Sequence, residues 1–246
     1  MPAVLSVIII TKNEAHNIED CLKSVAWADE IVVVDSGSTD GTVDICKRYT
    51  DKILVTDWPG YGAQKQRALE LATGEWILSL DADERITPEL AKEILSTMPI
   101  TTLDAFEIIF SSEYCGKTIR FGDWWNDSEK VLFRRTKGHF VSLKVHERIE
   151  IIGKVGKLKG KIFHKAFPNL DLVLRKMNDY STWGAEQKKS QGKKGGLFKA
   201  ITHGFWSFFR GYVLRLGFLD GKEGFLLAIS NAEGTYYRYL KLMYLS

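Results

Sequence analysis

The feature that most constrains the fold is a regular alternation of strand-like and helix-like segments over the first 80 residues. Short runs rich in Val, Ile and Leu, such as VLSVIII and EIVVVD, are each followed by a segment whose apolar residues recur at helical spacing. Such runs are typical of strands buried on both faces, and their alternation with helices indicates βαβ units. The sequence therefore predicts an α/β fold, with a mostly parallel sheet and helices on both faces.

The predicted elements change in character along the chain. The first part contains four strands, over residues 4–10, 30–35, 52–55 and 76–80, and three helices, within NEAHNIEDCLKSV, TVDICKRY and GAQKQRALELA. Further strand-like pieces (AFEIIF, KVLFRR, RIEIIG and KIFH) lie between Gly- and Trp-rich loops and predict a mixed extension of the same sheet. From Asp171 onward the pattern is helical and basic, and KKSQGKKGG, residues 188–196, predicts a flexible loop.

Polar residues follow three of the predicted strands at the point where each strand ends. They are TKNE after the first strand, DSGS after the second and DAD after the fourth. Ligands of open α/β sheets bind beyond the carboxyl ends of the strands. The three polar segments are therefore expected to converge on one ligand site.

The stretch WILSLDADE places three carboxylates, Asp81, Asp83 and Glu84, within four residues of a buried strand. Like charges at this spacing repel one another unless something positive lies among them. Carboxylate oxygens at a strand end are suitable ligands for Mg²⁺ or Mn²⁺, and such an ion takes its other ligands from water and substrate phosphates. Alternatively, Asp83 and Glu84 cap the helix that starts near Pro88 or face solvent.

The loop after the first strand, TKNEAHN, contains no glycine, so a dinucleotide site of the GxGxxG type is not expected. Asp35, at the end of the second strand, is placed to accept from a ribose hydroxyl or a base N–H. Lys65 or Arg67 on the third helix could neutralise phosphate charge, although a solvated helix face explains them equally well.

Charge divides the chain into two parts. The net charge is +3, but residues 1–104 carry 9 Lys and Arg against 18 Asp and Glu, whereas residues 105–246 carry 25 against 13. This split indicates two different partners, unless it is only a local fluctuation. Three cysteines without metal-type spacing favour a reduced, cytoplasmic compartment. The N-terminal apolar run lacks a signal peptide's basic flank, and the sequence contains no apolar stretch of about 20 residues.

Three motifs in order, VIIITKNE, VVDSGSTDGT and ATGEWILSLDADE, resemble the inverting family 2 glycosyltransferases, which have the Rossmann-like GT-A fold. The subgroup of lipopolysaccharide-core β-glucosyltransferases is particularly similar, because it shares VHE and GFLDGxxG. Here these motifs stand as KVHERI, residues 144–149, and GFLDGKEG, residues 217–224. The resemblance implies a UDP-sugar donor, a Mg²⁺ or Mn²⁺ ion and a single displacement.

The resemblance also implies roles for individual residues. Thr11, Glu14 and Asp35 would hold the uridine, and Lys65 would lie near the nucleotide. Asp81 would bind the ribose or the metal, Asp83 would ligate the metal, and Glu147 would be the general base. His164 would also contact the metal, although a lone histidine is more often structural. An edge-strand charge cluster is the alternative for VHER.

These residue types suit an inverting transfer. The acceptor oxygen attacks the anomeric carbon in one step, which requires one carboxylate base and a cation to stabilise the leaving phosphate. The sequence contains no activated Ser or Cys motif, and this reaction needs none. Of the adjacent Trp124 and Trp125, one is expected to stack on a sugar ring and the other to fill the core, with Trp125 assigned to the substrate.

The sequence predicts two domains. Residues 1–168 form the catalytic domain, with a nucleotide-binding half (1–104) and an acceptor half (105–168), and residues 169–246 form a basic helical appendage. Within 197–216, apolar side chains recur every three or four residues, at Phe198, Ile201, Phe205, Phe208, Tyr212 and Leu216. This amphipathic pattern, and a second apolar segment at 225–245, predict association with the cytoplasmic face of the inner membrane. Packing on the catalytic domain or a dimer contact is the alternative.

The leading hypothesis is a peripheral membrane enzyme that moves a hexose, with glucose favoured, from a UDP-sugar to a lipid-linked saccharide such as the lipopolysaccharide inner core. Another sugar or acceptor is the alternative within this class. A sugar-1-phosphate nucleotidyltransferase is disfavoured, because TKNEAHN is not the Gly-rich basic loop it needs. A non-catalytic module that binds anionic lipid or RNA is disfavoured as well, since residues 157–215 contain no recognised nucleic-acid motif. No nucleic-acid partner is expected.

Overall fold

The computed structural model describes residues 4–141 and 148–245. The chain divides into two compact units. The first consists of Met1–Phe110 and Ser128–His164, and the second consists of Ser111–Asp127 and Lys165–Ser246. The second unit thus includes residues 111–127 in addition to the C-terminal region, and the catalytic domain expected over residues 1–168 stays a prediction.

The strands and helices predicted over the first 80 residues are present in the predicted order, whereas the short strand at Glu84–Ile86 was not predicted. The elements are β1 (Leu5–Thr11), α1 (Ile18–Ser24), β2 (Glu30–Asp35), α2 (Thr42–Cys46), β3 (Ile53–Val55), α3 (Tyr61–Leu71), β4 (Trp76–Asp81), β5 (Glu84–Ile86) and α4 (Pro88–Thr97).

Strands dominate the middle of the chain and helices its end. The strands are β6 (Ala105–Tyr114), β7 (Lys117–Thr118), β8 (Ser128–Arg134), β9 (Gly138–Val141), β10 (Arg148–Ile151) and β11 (Val155–Phe167). The helices are α5 (Leu170–Ser190), α6 (Leu197–Phe209) and α7 (Gly221–Leu245), with a π-helical turn at Arg210–Leu214 and 3₁₀ turns at Gly122–Trp124 and Gly217–Asp220. Because α5 continues to Ser190, the loop predicted at 188–196 was wrong in its first three residues.

The main sheet has the strand order β3-β2-β1-β4-β8-β6-β11-β5. The pairs β3–β2, β2–β1 and β1–β4 are parallel, whereas β4–β8, β8–β6 and β11–β5 are antiparallel. Strands β9 and β10 form a separate antiparallel pair. This arrangement confirms the α/β fold and the mixed extension of the sheet for AFEIIF, KVLFRR and KIFH. The prediction was wrong for RIEIIG, because its strand β10 pairs with β9 outside the main sheet.

Alternate residues of β1 pack on opposite faces of the sheet. Leu5, Val7 and Ile9 belong to a buried cluster that includes side chains of α1 and α4. Ile8 and Ile10 belong to a second cluster, which includes side chains of α3. Since successive side chains of a strand point to opposite faces, this division places helices on both sides of the sheet, as predicted.

The second unit is built mainly from three helices, with α7 packed against both α5 and α6. Lys241 of α7 fixes one of these contacts, because its ammonium group donates to the Asn178 carbonyl (2.8 Å), Ser181 Oγ (2.7 Å) and Thr182 Oγ1 (2.7 Å) of α5. Among the helices described, none is both long enough and apolar enough to cross a bilayer.

Candidate active site

The carboxyl ends of β2, β1 and β4 lie side by side and bring three of the predicted site residues together. Thr11 is paired in register with Asp35, and Ile10 with Asp81. Thr11 is buried, and its Oγ1 has no hydrogen-bond partner within residues 4–141 and 148–245. Asp35 is only 1% exposed. The predicted convergence of these strand ends is therefore present.

The Asp35 carboxylate organises the loop that follows it. Its Oδ1 accepts hydrogen bonds from the backbone N–H groups of Gly37 (2.9 Å) and Ser38 (2.8 Å), and its Oδ2 accepts from the Ser38 hydroxyl. An aspartate that binds its own backbone two and three residues on is a stable turn device. A carboxylate has about four acceptor positions, so Asp35 retains acceptor capacity for a ligand N–H or hydroxyl.

The loop after β1 is hydrogen-bonded to the loop after β2. The Asn13 N–H donates to Ser38 Oγ at 2.7 Å, and the Glu14 N–H donates to Thr42 Oγ1 at 2.9 Å. The Glu14 carboxylate accepts from Asn17 Nδ2 at 2.9 Å. Glu14 therefore belongs to the same pair of loops as Asp35, and side-chain hydrogen bonds fix both loops.

Helix α3 supplies a cation to the acidic strand end. Lys65 is buried, and its Nζ lies 3.0 Å from Asp81 Oδ1. Because Lys65 is buried, the alternative that it belongs to a solvated helix face is wrong. Arg67 instead donates to Asp57 Oδ1 at 2.8 Å. Of the two cations considered for the phosphate, Lys65 is the one that contacts the DAD segment.

Asp83 and His164 are also brought together. Strands β5 and β11 pair Glu84 with His164 in antiparallel register, and His164 Nε2 lies 3.4 Å from Asp83 Oδ2. Glu84 is buried and accepts the Asp81 N–H at 3.0 Å. The capping alternative for Asp83 and Glu84 is wrong, because Thr87 caps α4 by accepting from the Leu90 N–H.

Electrostatics at this strand end reflect the concentration of carboxylates. Burial, followed by the negative charge of Asp81, raises the pKa of Glu84 well above its usual range. Burial lowers the pKa of His164, but the hydrogen bond and negative charge of Asp83 outweigh it and raise that pKa to about 8. The site therefore favours a positive species beside Asp83.

The donor set fits a hard divalent cation with an incomplete protein shell. Within the described residues, no group of three His, Cys, Asp or Glu side chains is arranged to hold a metal. Asp83 Oδ2 and His164 Nε2 lie 3.4 Å apart, and these two side chains would hold the ion. One carboxylate and one imidazole would leave the remaining positions for water and phosphate oxygens.

Sequence reasoning missed Gln64 and Asp40. The side-chain amide of Gln64, which is fully buried on α3, donates to Ser36 Oγ at 2.8 Å and so ties that helix to the Asp35 loop. Asp40 Oδ2 accepts the Ala15 N–H at 3.0 Å and joins the two loops. The Asp-Gly pair of STDGT indicated a turn, but nothing in the sequence distinguishes Gln64 from an exposed helical glutamine.

Two other predictions concern residues outside this cluster. The proposed base Glu147, with the rest of KVHE, lies outside the described residues. In the second unit, Trp124 stacks on Phe167 at 5.7 Å, whereas Trp125 is 62% exposed. This matches the expected division between one packing indole and one exposed indole, and contact of Trp125 with substrate stays a prediction.

The GFLDGKEG segment has a packing role in the second unit. The buried Asp220 accepts the N–H groups of Arg120 (3.0 Å) and Phe121 (2.8 Å). A Cβ added at Gly224 would lie 2.0 Å from the Gly217 carbonyl oxygen, so only glycine permits this close approach. The motif therefore fixes the start of α7 to the segment that carries the two tryptophans.

Comparison with known proteins gives concordant results. The sequence profile of Glycosyl transferase family 2 matches residues 6–143. An uncharacterized glycosyltransferase of Rickettsia typhi is 30% identical, covering 98% of this chain and 87% of that protein. The lipopolysaccharide core biosynthesis glycosyltransferase LpsC of Rhizobium meliloti is 33% identical, covering 96% and 93%.

Among solved structures, residues 1–349 of Staphylococcus aureus TarS match with a TM-score of 0.50 and 21% identity. The match covers 74% of this chain and 65% of the TarS chain. This likeness shows a shared fold. Because the family profile spans more than half of the chain and the relatives align over nearly all of it, the chain belongs to glycosyl transferase family 2 and is related to the lipopolysaccharide-core glycosyltransferases.

Proposed function

We propose that the protein is an inverting transferase that moves a hexose, with glucose favoured, from a UDP-sugar to a hydroxyl of a lipid-linked glycan such as the lipopolysaccharide inner core. The observation that carries this proposal is the cluster at the sheet edge. Thr11 and Asp35 end adjacent parallel strands, and beside them Lys65 contacts Asp81. Family 2 membership supports a sugar transfer, and this cluster would bind the donor.

The donor would bind by its nucleotide. Thr11, Glu14 and Asp35 offer a hydroxyl and two carboxylates, which match the hydroxyl and N–H groups of uridine. The Lys65 ammonium would compensate part of the diphosphate charge, and Asp81 would contact the ribose or the metal. TarS has been solved in complex with UDP-GlcNAc, which supports a uridine nucleotide as the donor class for this fold.

Asp83 and His164 would hold Mg²⁺ or Mn²⁺. The bound ion would supply positive charge to the leaving diphosphate. The side chains themselves prepare the site, because Glu84 accepts the Asp81 N–H and fixes the turn that carries Asp83. The buried Lys65 would remain as a second cation beside the phosphates.

The acceptor would be activated by a carboxylate. Glu147 is proposed to remove the proton from the acceptor hydroxyl as its oxygen attacks the anomeric carbon, opposite the departing UDP. The bond from the anomeric carbon to the UDP oxygen breaks as the new glycosidic bond forms, so the configuration inverts. Trp125 would stack on a sugar ring of the acceptor or donor.

The C-terminal unit would bind the cytoplasmic face of the inner membrane and so reach a lipid-linked acceptor. Phe198 and Phe205 on α6 are 79% and 68% exposed, and Ile201 between them is exposed as well. Exposed apolar side chains in a helical row, within a basic region, are suited to a membrane interface. The name of LpsC supports a lipopolysaccharide acceptor.

The test is UDP release from a panel of UDP-sugars, with Mn²⁺ and a lipopolysaccharide-core acceptor. One donor should support turnover, and Asp83→Ala should reduce it about 10²- to 10³-fold, as expected for the loss of a main electrostatic contributor. Asp44→Ala is the matched control, since Asp44 is an exposed aspartate of the same unit. Glu147→Gln should abolish transfer but leave UDP affinity unchanged.

Three results would overturn parts of the proposal. If no UDP-sugar is consumed while another nucleotide sugar is, the donor assignment is wrong. If Asp83→Ala turns over as fast as Asp44→Ala, the metal assignment is wrong. Retention of anomeric configuration in the product would exclude the single displacement.

A further inference from the structure

A cavity of about 440 Å³ lies within the second unit, among α5, α6, α7 and the 3₁₀ turn at Gly122–Trp124. Its size is in the range of small-molecule sites. All of its lining residues belong to that unit, so no residue of the sheet-edge cluster lines the cavity. The proposed function assigns no role to it.

The lining is strongly basic. Lys188, Arg210 and Arg238 line the cavity, and among its lining residues Asp123 is the one carboxylate. Asp123 is already compensated, since Arg210 Nη2 lies 3.1 Å and Arg215 Nη1 lies 2.9 Å from its Oδ1. Within residues 4–141 and 148–245, neither Lys188 nor Arg238 forms an ion pair. The cavity therefore has a surplus of positive charge.

Among the described residues, one buried hydrogen-bond donor of Arg238 has no acceptor. Its Nε is shielded from solvent and has no hydrogen-bond acceptor in the described part of the chain. Leaving such a buried donor without an acceptor lowers the stability of the folded protein. The position of Arg238 also depends on Gly184 of α5, because a Cβ there would lie 2.6 Å from Arg238 Nε. The helices thus hold a guanidinium group in place without supplying its acceptor.

Lys188 is held beside the same cavity by an aromatic contact. Its ammonium group lies 5.3 Å from the ring centroid of Tyr239, and the Tyr239 ring also stacks on His203 at 4.4 Å. Lys188, His203 and Tyr239 all line the cavity. The two unpaired cations are therefore positioned by protein contacts before any ligand arrives.

We propose that this cavity is a binding site for a phosphate ester. A guanidinium fork matches the oxygens of phosphate, and an ammonium adds a second point charge. Trp206 lines the cavity and is half exposed on α6, the helix that also carries the exposed Phe198 and Phe205. A lipid headgroup could therefore place its phosphate in the cavity and its acyl chains along α6. The inference does not depend on the transferase activity.

The experiment measures binding of the full-length protein to two sources of phosphate. The first source is soluble: inorganic phosphate or glycerol 1-phosphate is added, and its binding is measured by the shift in melting temperature. The second source is a membrane: vesicles of phosphatidylcholine with or without roughly 20–30% of the anionic lipid phosphatidic acid. Binding to the vesicles is measured by sedimentation. Arg238→Met and Lys188→Met test the cavity, and Arg175→Met, an exposed arginine of α5, is the matched control.

Arg238→Met should weaken binding about 10- to 100-fold, which is the fold-change expected for a charge-assisted hydrogen-bonded pair. Arg175→Met should weaken it less than about threefold, as expected for one exposed charge. Gly184→Ala is a second variant that keeps every charge but displaces Arg238, and it should resemble Arg238→Met. A thermal shift with soluble phosphate identifies the phosphate group as sufficient, whereas binding to vesicles alone identifies the lipid headgroup as the source.

Equal losses for Arg238→Met and Arg175→Met would overturn the inference, because bulk charge would then explain the binding. Wild-type affinity in Gly184→Ala would also overturn it. No response of the wild type to either source would do the same. Release of UDP by these variants, measured with a short-chain acceptor in detergent, reports separately on the proposed transferase function.

Discussion

The sheet-edge cluster and the second unit, which is mainly helical, differ in whether their charged side chains have partners of opposite charge. At the sheet edge, two carboxylates have partners within the protein: Asp35 accepts from its own loop, and Asp81 lies beside Lys65. In the helical unit, Lys188 and Arg238 line a cavity with no carboxylate partner among the residues described, and α6 exposes large apolar side chains. In our proposals, the first region binds a nucleotide sugar and the second binds a phosphate ester.

The largest effect that would separate the two regions concerns the apolar face of α6. Phe198→Ser combined with Phe205→Ser should weaken vesicle binding by at least about tenfold, since each buried phenyl group contributes about 1.5–3 kcal/mol. UDP affinity should not change. Sedimentation with anionic vesicles measures the first quantity, and calorimetry the second.

The matched control is Ile100→Ser, because Ile100 is 82% exposed but lies in the first unit. It should leave vesicle binding unchanged. If the control loses as much binding as the double variant, general surface hydrophobicity explains the effect and the distinction between the regions fails.

The next effect concerns a buried charge that the first unit satisfies internally. Glu30 accepts from the Thr73 N–H and Oγ1, both at 2.7 Å, and from Lys52 and the Ser6 hydroxyl. Burial acts to raise its pKa, but these hydrogen bonds outweigh burial and lower the pKa from 4.5 to about 2. Glu30→Gln should lower the free energy of unfolding by about 1–3 kcal/mol at pH 7.

The pH dependence has a defined sign. A carboxylate whose pKa is lower in the folded state stabilises the protein fully above its unfolded value of 4.5, and this stabilisation is lost as the pH falls towards 2. The deficit of Glu30→Gln should therefore shrink over that interval in urea titrations. Glu70→Gln, an exposed glutamate on α3, is the control. A deficit independent of pH would show that Glu30 acts through packing rather than charge.

The smallest effect compares one backbone position in each region. Gly37 has φ +79° and Gly192 has φ +71°, and a Cβ at either would meet no atom within 4 Å. Alanine at each should cost about 1–2 kcal/mol of stability, because only the backbone conformation is penalised. Gly37→Ala should also weaken UDP binding about fivefold, since Gly37 donates to Asp35, whereas Gly192→Ala should not. Equal UDP affinity in the two variants would exclude the Asp35 loop from the donor site.

The sequence is most informative where local pattern and structure coincide. The buried runs around Ile8 and Val33 predicted the strands, and the placement of Asp35 and Asp81 at strand ends predicted their convergence. Contacts between segments that are distant in the sequence could not be predicted from local pattern. His164 and Asp83 lie far apart in the chain, so local pattern could not predict their contact. Only the family resemblance implied it.

The cavity of the second unit illustrates the same limit. It requires Asp123 from the middle of the chain to meet Arg210, and Gly184 of α5 to admit Arg238 of α7. The amphipathic period of residues 197–216 predicted an exposed apolar face but not a cavity beside it. The end of α5 was also misplaced, because Lys188 and Lys189 are compatible with a helix as well as with a loop.

The most direct test of the central claim is a calorimetric titration of UDP into the wild type and Asp83→Asn, each with Mn²⁺ and with EDTA. The account predicts that wild-type UDP binding is stronger with Mn²⁺ by about tenfold or more, and that Asp83→Asn loses this difference while keeping the weaker, metal-independent binding. Equal wild-type affinity in Mn²⁺ and EDTA, or a full metal response in Asp83→Asn, would contradict the assignment of the sheet edge as a metal-assisted nucleotide site.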